Sequence, residues 1–395
     1  MATVLFTWEL GAGLGHLTTI VPLAQGLRRR GHRVIAALRD LSRARQVFGQ
    51  DATIELYQSP IRIKPAGEEI SVPRTFAHVL HNSGFSNVDE LHALVEAWNH
   101  LYRDITPDLI VLDHSPTALL AVRGTPARKA LLGPGFFCPP NVYPLPDLRP
   151  WMPSEPERLR QEEDHVLGNA NRVLTALGRK ELPRLADLYR DVDENFLTTF
   201  RDLDVYGPRD GARYWGAWPC IKGKMPRWPA GPGKKVFGYL KGFPALPQVL
   251  EALRYAAVPT LIYGDGIPEV LQRQHECQTL RFEREPLNLG EVGRQCDLAI
   301  LNGTHGSTAA TLLAGKPILE LPIYLEQALT SLKVAELGAG ITLSLMEAHH
   351  FPSALSAMLA SDSYTAAARR FAQQYASCEH DHVGSLLERC GTLLN

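Results

Sequence analysis

Short apolar runs alternate with helical periodicities, stop once, and start again. No other feature constrains this chain's fold as much. A buried strand is expected over 2–7. After a Gly-rich turn, Leu17, Ile20, Leu23, Ala24 and Leu27 recur at helical spacing from about 16 to 30. Arg28, Arg29 and Arg30 oppose the dipole of that helix in its last turn, and Gly31 follows where a left-handed residue ends helices. Further strands are expected over 33–38, 52–57, 109–112 and 128–132. Leu91, Leu94, Val95, Trp98, Leu101 and Tyr102 mark one face of a long helix between them. Strand, helix and strand repeated in this way imply a parallel sheet covered by helices on both faces.

Residues 215–235 interrupt the pattern with Pro219, Pro226, Pro229 and Pro232 among Gly216, Gly223, Gly231 and Gly233, which reads as a linker. The pattern then resumes with strands at 236–240, 258–263, 298–301, 317–321 and 340–343. Helices are expected at 246–255, from near His305, and at 325–337, with more helices closing the chain. The expected organisation is a first domain over 1–215, a linker over 216–235 and a second domain over 236–395. A length of 395 residues suits two or three domains. The Pro- and aromatic-rich stretch 133–155 is too long for an ordinary connection, and its apolar content suits a binding wall.

Charge and cysteine usage exclude several classes. Lys and Arg number 41 against 42 Asp and Glu, so no broad basic face for nucleic acid is expected. The six cysteines, Cys138, Cys220, Cys277, Cys296, Cys378 and Cys390, include no C-x-x-C pair. They read as the reduced thiols of a cytoplasmic protein, not as a disulfide scaffold or zinc site. Glu9 interrupts the apolar N-terminus and no basic region precedes it, which suits a first strand better than a signal peptide. No stretch approaches the roughly 18 apolar residues of a membrane span.

Three segments carry candidate chemistry. Gly11-Ala12-Gly13-Leu14-Gly15-His16 joins the first strand to the first helix, where Gly13 and Gly15 let backbone turn tightly beside a ligand. A nicotinamide fingerprint would place its third glycine one residue later, although Asp40 ends the second strand where a ribose-binding acid would sit. His16 stands at a strand tip, and Asp113 ends a later strand on the same carboxyl edge. A carboxylate that orients an imidazole makes a general base; the plainer reading is a structural histidine at a helix start. The second segment is Asn302-Gly303-Thr304-His305-Gly306-Ser307-Thr308, where N–H groups at a helix start with nearby hydroxyls suit an anion, or simply an N-cap. The third is the strand exit that carries Glu326 and Gln327.

These residues together resemble a family. Gly15-His16, Pro22-Leu23-Ala24 and Arg30-Gly31-His32-Arg33-Val34 are similar to the opening of nucleotide-sugar-dependent glycosyltransferases. The likeness is to the UDP-glucuronosyl/glucosyltransferase superfamily and the bacterial macrolide and antibiotic glycosyltransferases. Pro107-Asp108-Leu109-Ile110-Val111-Leu112-Asp113 resembles the strand that ends in the family's orienting Asp. Asn302 to Thr308 resembles the donor signature H-x-G-x-N-S-T, and Leu321-Pro322 through Glu326-Gln327 resembles P-x-x-x-D-Q. The chain departs from the family at several of these positions. Asn302 stands where the family has a diphosphate-binding His, with His305 three residues on. Ala310 replaces a ribose-binding Glu, and Glu326 replaces Asp. No W-x-P-Q is found around 286–289, and Lys241 and Gly242 fall where the family has a Gly-Ser phosphate loop.

The resemblance implies a GT-B fold, with two Rossmann-like doubly wound domains facing a central cleft. The first domain would bind the acceptor and the second the nucleotide sugar. It implies an inverting, metal-independent enzyme without a cofactor, in which His16 is the base and Asp113 orients it. Lys241, Gly242, Asn302, Gly303, Thr304, His305, Gly306, Ser307, Thr308, Glu326 and Gln327 would lie on the donor. The partners implied are a nucleoside diphosphate sugar such as a UDP-sugar, and a small-molecule or lipid-like acceptor held by loops 58–90 and 133–155. Two alternatives stay open: a silent nucleotide-sugar-binding or partner protein, and a nucleotide-sugar epimerase on the same fold.

Overall fold

The computed structural model describes every residue except 12–14, 43, 49–52, 65, 219–222 and 377–380. Two six-stranded parallel sheets organise the chain. The first contains β1 (Thr3–Trp8), β2 (Arg33–Leu38), β3 (Glu55–Gln58), β4 (Leu109–Asp113), β5 (Arg128–Gly133) and β6 (Glu194–Leu197), in the order β3-β2-β1-β4-β5-β6. The second contains β7 (Val236–Lys241), β8 (Thr260–Asp265), β9 (Leu280–Glu283), β10 (Leu298–Leu301), β11 (Ile318–Glu320) and β12 (Gly340–Thr342), in the order β12-β11-β10-β7-β8-β9. Every pairing within them is parallel. Both sheets wind outward on one side of their first strand and then on the other. The order therefore reverses between β1 and β4 and between β7 and β10. Crevices for ligands open at such reversals, outside the carboxyl ends of the strands.

The central strands are unbroken apolar runs because helices cover both their faces. Every residue of β4 and of β10 is buried. Helix Val88–Ile105 buries Leu91, Leu94, Val95, Trp98 and Tyr102 on one stripe. Asn87 caps it by accepting the Glu90 N–H at 2.9 Å, and it ends on left-handed Thr106.

Several boundaries differ from expectation. The third strand starts at Glu55, with 51 and 52 outside the described residues. The strand expected at 258–263 runs Thr260–Asp265: Pro259 has no N–H for a ladder, and pairing opens with the Thr260 N–H on the Thr279 carbonyl at 2.7 Å. Strands β6 and β9 and the helix Pro156–Ala176 were not expected at all.

The chain divides into two compact units, and the division crosses the expected domain limits. Met1–Thr199, Pro208–Trp215 and Val383–Asn395 form one unit; Phe200–Gly207 and Gly216–His382 form the other. The closing helix His382–Leu393 thus contributes almost all its residues to the first unit, not the second. Its Leu387 lies against Gly26, where an added Cβ would come within 2.4 Å, and Arg389 bonds Glu194 of β6. The linker stretch belongs to the second unit, where Trp228 donates to Gln295 at 3.0 Å.

Candidate active site

The reversal point of the first sheet carries a histidine and a carboxylate. His16 follows the opening residue of helix Gly15–Arg29, just beyond β1, and Asp113 is the last residue of β4, the strand beside it. His16 Nδ1 lies 3.0 and 3.1 Å from the two oxygens of Asp113, whose side chain is 3% exposed. An Nδ1–H donated to the carboxylate fixes the neutral tautomer that keeps Nε2 as the basic nitrogen. Trp8 and Phe137 stack against the ring, with centroids at 5.1 and 5.2 Å. Gly11 approaches it from the turn. With φ at +87°, Gly11 has no Cβ, and one placed there would meet His16 Nε2 at 2.4 Å. Gly15 receives the hydroxyls of Thr18 and Thr19 on its carbonyl, at 2.8 and 3.1 Å. Gly13 lies outside the described residues.

Two neighbours of the pair were not singled out in the sequence. His114 adopts a left-handed φ of 43° and stacks on Phe137 at 4.2 Å. Burial holds its imidazole well below the ordinary value, helped by nearby His16 and Arg39, so it is a neutral wall and not a rival base. The Glu9 carboxyl closes the start of helix Pro116–Ala121. It accepts the Thr117 hydroxyl at 2.5 Å and the N–H groups of Thr117 and Ala118, and burial pushes it up to about 7. The histidine after Asp113, and an acid ending an apolar strand, were the available sequence signals.

The two segments expected to contact an acceptor are tied together. Arg74 bonds Asp147 and the Pro153 carbonyl, Arg149 reaches the Pro73 carbonyl at 3.0 Å, and the Leu148 N–H reaches the Arg74 carbonyl at 2.6 Å. Leu145 donates its N–H to buried Glu163 at 2.7 Å.

At the reversal point of the second sheet, Lys241 ends β7 and Gly242 follows it, Asn302–Thr308 follow β10, and Glu326 and Gln327 lie in the first turn of helix Leu325–Glu336 beyond β11. The structure therefore gathers these expected donor residues on one carboxyl edge. Most of the side chains, however, bond to the protein itself. Asn302 accepts the Lys241 N–H at 2.8 Å and donates to the Leu321 carbonyl at 2.7 Å, continuing both ladders one residue past β10. Ser307 donates to the Thr304 carbonyl at 2.9 Å. Thr308, fully buried, donates to Glu320 at 2.9 Å. Gln327 accepts the N–H groups of Ile323 and Tyr324 and donates to Thr304 Oγ1 at 3.4 Å. Gly303, at φ 79°, packs so closely that a Cβ would meet Ser331 Oγ at 2.5 Å and the Gln327 carbonyl at 2.6 Å. The helix His305–Leu313 starts there, and its first N–H groups have no partner within the helix. His305 is buried, and burial pushes its imidazole down to about 4, against the pull of Asp204. A neutral ring offers one N–H and no charge.

No protein-family model matches the chain, and no curated protein matches it in sequence. Solved structures match it nearly end to end. CalG4, the calicheamicin glycosyltransferase, is 18% identical with a TM-score of 0.71, over 100% of this chain and 98% of its own. The glycosyltransferase VinC in complex with dTDP is 16% identical with a TM-score of 0.66, over 98% and 100%. SsfS6, a glycosyltransferase of Streptomyces sp. SF2575 complexed with thymidine diphosphate, is 17% identical with a TM-score of 0.62, over 95% and 96%. The chain therefore has the GT-B fold of these glycosyltransferases, built from two Rossmann-like doubly wound sheets.

Proposed function

We propose that this protein is an inverting glycosyltransferase that moves a sugar from a nucleoside diphosphate to an acceptor hydroxyl. The observation that carries the reading is the carboxylate on His16 Nδ1 at the switch point of the first sheet. Nε2 takes the proton of the acceptor hydroxyl, and Asp113 stabilises the imidazolium as it forms. The oxygen attacks the anomeric carbon from the face opposite the nucleotide, and the diphosphate leaves with the bonding pair. The N–H groups at the start of helix His305–Leu313 meet the charge that develops on it, with Lys241 as the nearby cation. No divalent ion and no cofactor enter this scheme. Structures of the same fold that carry thymidine diphosphate make that nucleotide the first probe.

The bonds that tie Asn302, Ser307, Thr308 and Gln327 into the protein favour one second reading, a nucleotide-sugar-binding protein without turnover. Calorimetry with thymidine and uridine diphosphates, and with thymidine alone, tests the donor half. Binding by the diphosphates but not by the nucleoside is expected; silence toward all of them overturns the reading. Turnover of a thymidine diphosphate sugar with a panel of acceptors tests the base. His16→Ala should lower kcat by about two to four orders of magnitude, the usual worth of a general base, and leave donor binding intact. Turnover by His16→Ala near the parent rate would remove His16 from the mechanism. Donor binding with no turnover of any acceptor would leave the silent binder.

A further inference from the structure

Beneath the Asn302–Thr308 loop lies an acid that neither the sequence pattern nor the proposed chemistry uses. Glu320 ends β11, beside Leu301 of β10, and is fully buried. One oxygen, Oε1, accepts the Thr308 hydroxyl at 2.9 Å, and the carboxyl also takes the Gly303 N–H. The other oxygen, Oε2, is buried with no hydrogen-bond partner among the described residues. The two groups it holds bracket the loop: Gly303 at its left-handed bend, and Thr308 in the first turn of helix His305–Leu313.

A carboxylate in such a place needs a counter-charge or a full set of donors. Neither is present. The elements packed most closely against β11 are β10, β12 and the helices His305–Leu313 and Phe351–Ala360. The only titratable side chain they carry is that of His305, held neutral by its burial. A proton on Oε2 removes the buried charge and leaves Oε1 as a carbonyl oxygen able to accept both donors. Burial accordingly pushes the Glu320 carboxyl up to about 7, against the pull of its two hydrogen bonds.

We propose that Glu320 is a positioning residue of the donor loop and works as a neutral acid. Uncharged, it holds Gly303 and Thr308 so that the N–H groups of the helix start receive a diphosphate. Ionised, it is itself an anion at that helix start, and it weakens diphosphate binding. The inference rests on the donor-site reading above.

The test is calorimetric titration of the whole protein and its Glu320→Gln variant with thymidine diphosphate at pH 6.0 to 8.5. Gln keeps the accepting oxygen and cannot ionise. The nucleotide's own phosphate titrates in this range, so the readout is the ratio of the parent Kd to the variant Kd, from which that effect cancels. The ratio should rise about fivefold from the acid to the alkaline end, a modest coupling between two sites. A flat ratio overturns the role of Glu320 while the donor site stands. Absence of nucleotide binding by the parent at every pH overturns the donor-site reading, and this inference with it. If Glu320→Gln does not fold, Thr308→Val serves. It removes a hydrogen bond that favours the ionised form, so the loss of affinity should move to higher pH. A loss that stays at the parent's pH overturns the proposal.

Discussion

Gly11 shows how little space surrounds the imidazole. Its φ of +87° is strained for any side chain, and its missing Cβ is the space that His16 Nε2 occupies. Gly11→Ala must therefore move either the turn or the ring. Displacing a catalytic group by about 1 Å costs on the order of 100-fold in rate, so kcat should fall by about that factor. Thymidine diphosphate affinity should hold, because the candidate donor residues belong to the other unit. An equal loss of kcat and donor affinity, with a lowered melting temperature, would show general unfolding of the turn instead. The pair at 16 and 113 could be read in the sequence because each residue stands at the carboxyl end of a strand that patterning alone places. His114 could not. Its importance comes from a left-handed backbone and a stack on Phe137, and neither leaves a mark in composition or period.

At the scale of strands and helices, Asn302 joins the ends of three strands. Its amide meets the Lys241 N–H of β7 and the Leu321 carbonyl just past β11, so β10 is fixed on both sides beyond its last ladder bond. Asn302→His, which installs the residue the resembling family uses there, cannot place a donor and an acceptor where the amide has both, and leaves at least the buried Leu321 carbonyl or the Lys241 N–H unmet. Each unmet buried group costs about 1–3 kcal/mol, so the variant should be destabilised by a few kcal/mol in chemical unfolding. Its thymidine diphosphate affinity should fall, not improve; a gain in affinity with stability intact would refute this account. The same logic explains what patterning missed. Helix Pro156–Ala176 buries Leu159, Glu163, Val166, Asn169, Ala170, Val173 and Leu174, so two polar residues interrupt its apolar stripe. They are there to serve backbone, Glu163 for the Leu145 N–H and Asn169 for the Phe85 carbonyl. Strands β6 and β9 are four-residue edges with polar residues at alternate or leading positions, too short to show a period. Local patterning also cannot show that residues 383–395 return to the first unit, because the contact of Leu387 with Gly26 spans almost the whole chain.

Across the whole molecule, buried titratable groups pull stability in opposite directions with pH. Glu9, Glu163 and Glu320 are each pushed up to about 7 by burial. Each holds its proton in the folded state after the unfolded chain has released it. Their contribution is complete below about 4.5 and is lost as pH rises through about 7. His305, lowered to about 4, and His114, held well below its ordinary value, act oppositely. The folded state refuses protons that the unfolded chain takes up, so their contribution is complete above about 6.5 and is lost toward acid. The two trends offset each other between about 4.5 and 6.5. Above that range only the carboxyls still change, so stability from these groups declines through about 7 and then levels off. Glu9→Gln isolates one of them, because an amide keeps an oxygen for the N–H groups of Thr117 and Ala118 and cannot ionise. Unfolding free energies at pH 5 and pH 8, read from the transition of the first unit, should differ between parent and variant by about 2–3 kcal/mol, most of a shift worth about 1.4 kcal/mol per pH unit. The variant should gain on the parent toward alkaline pH. Parallel curves would mean that Glu9 is charged in the folded protein, and the donors at the start of helix Pro116–Ala121 would then have to outweigh its burial.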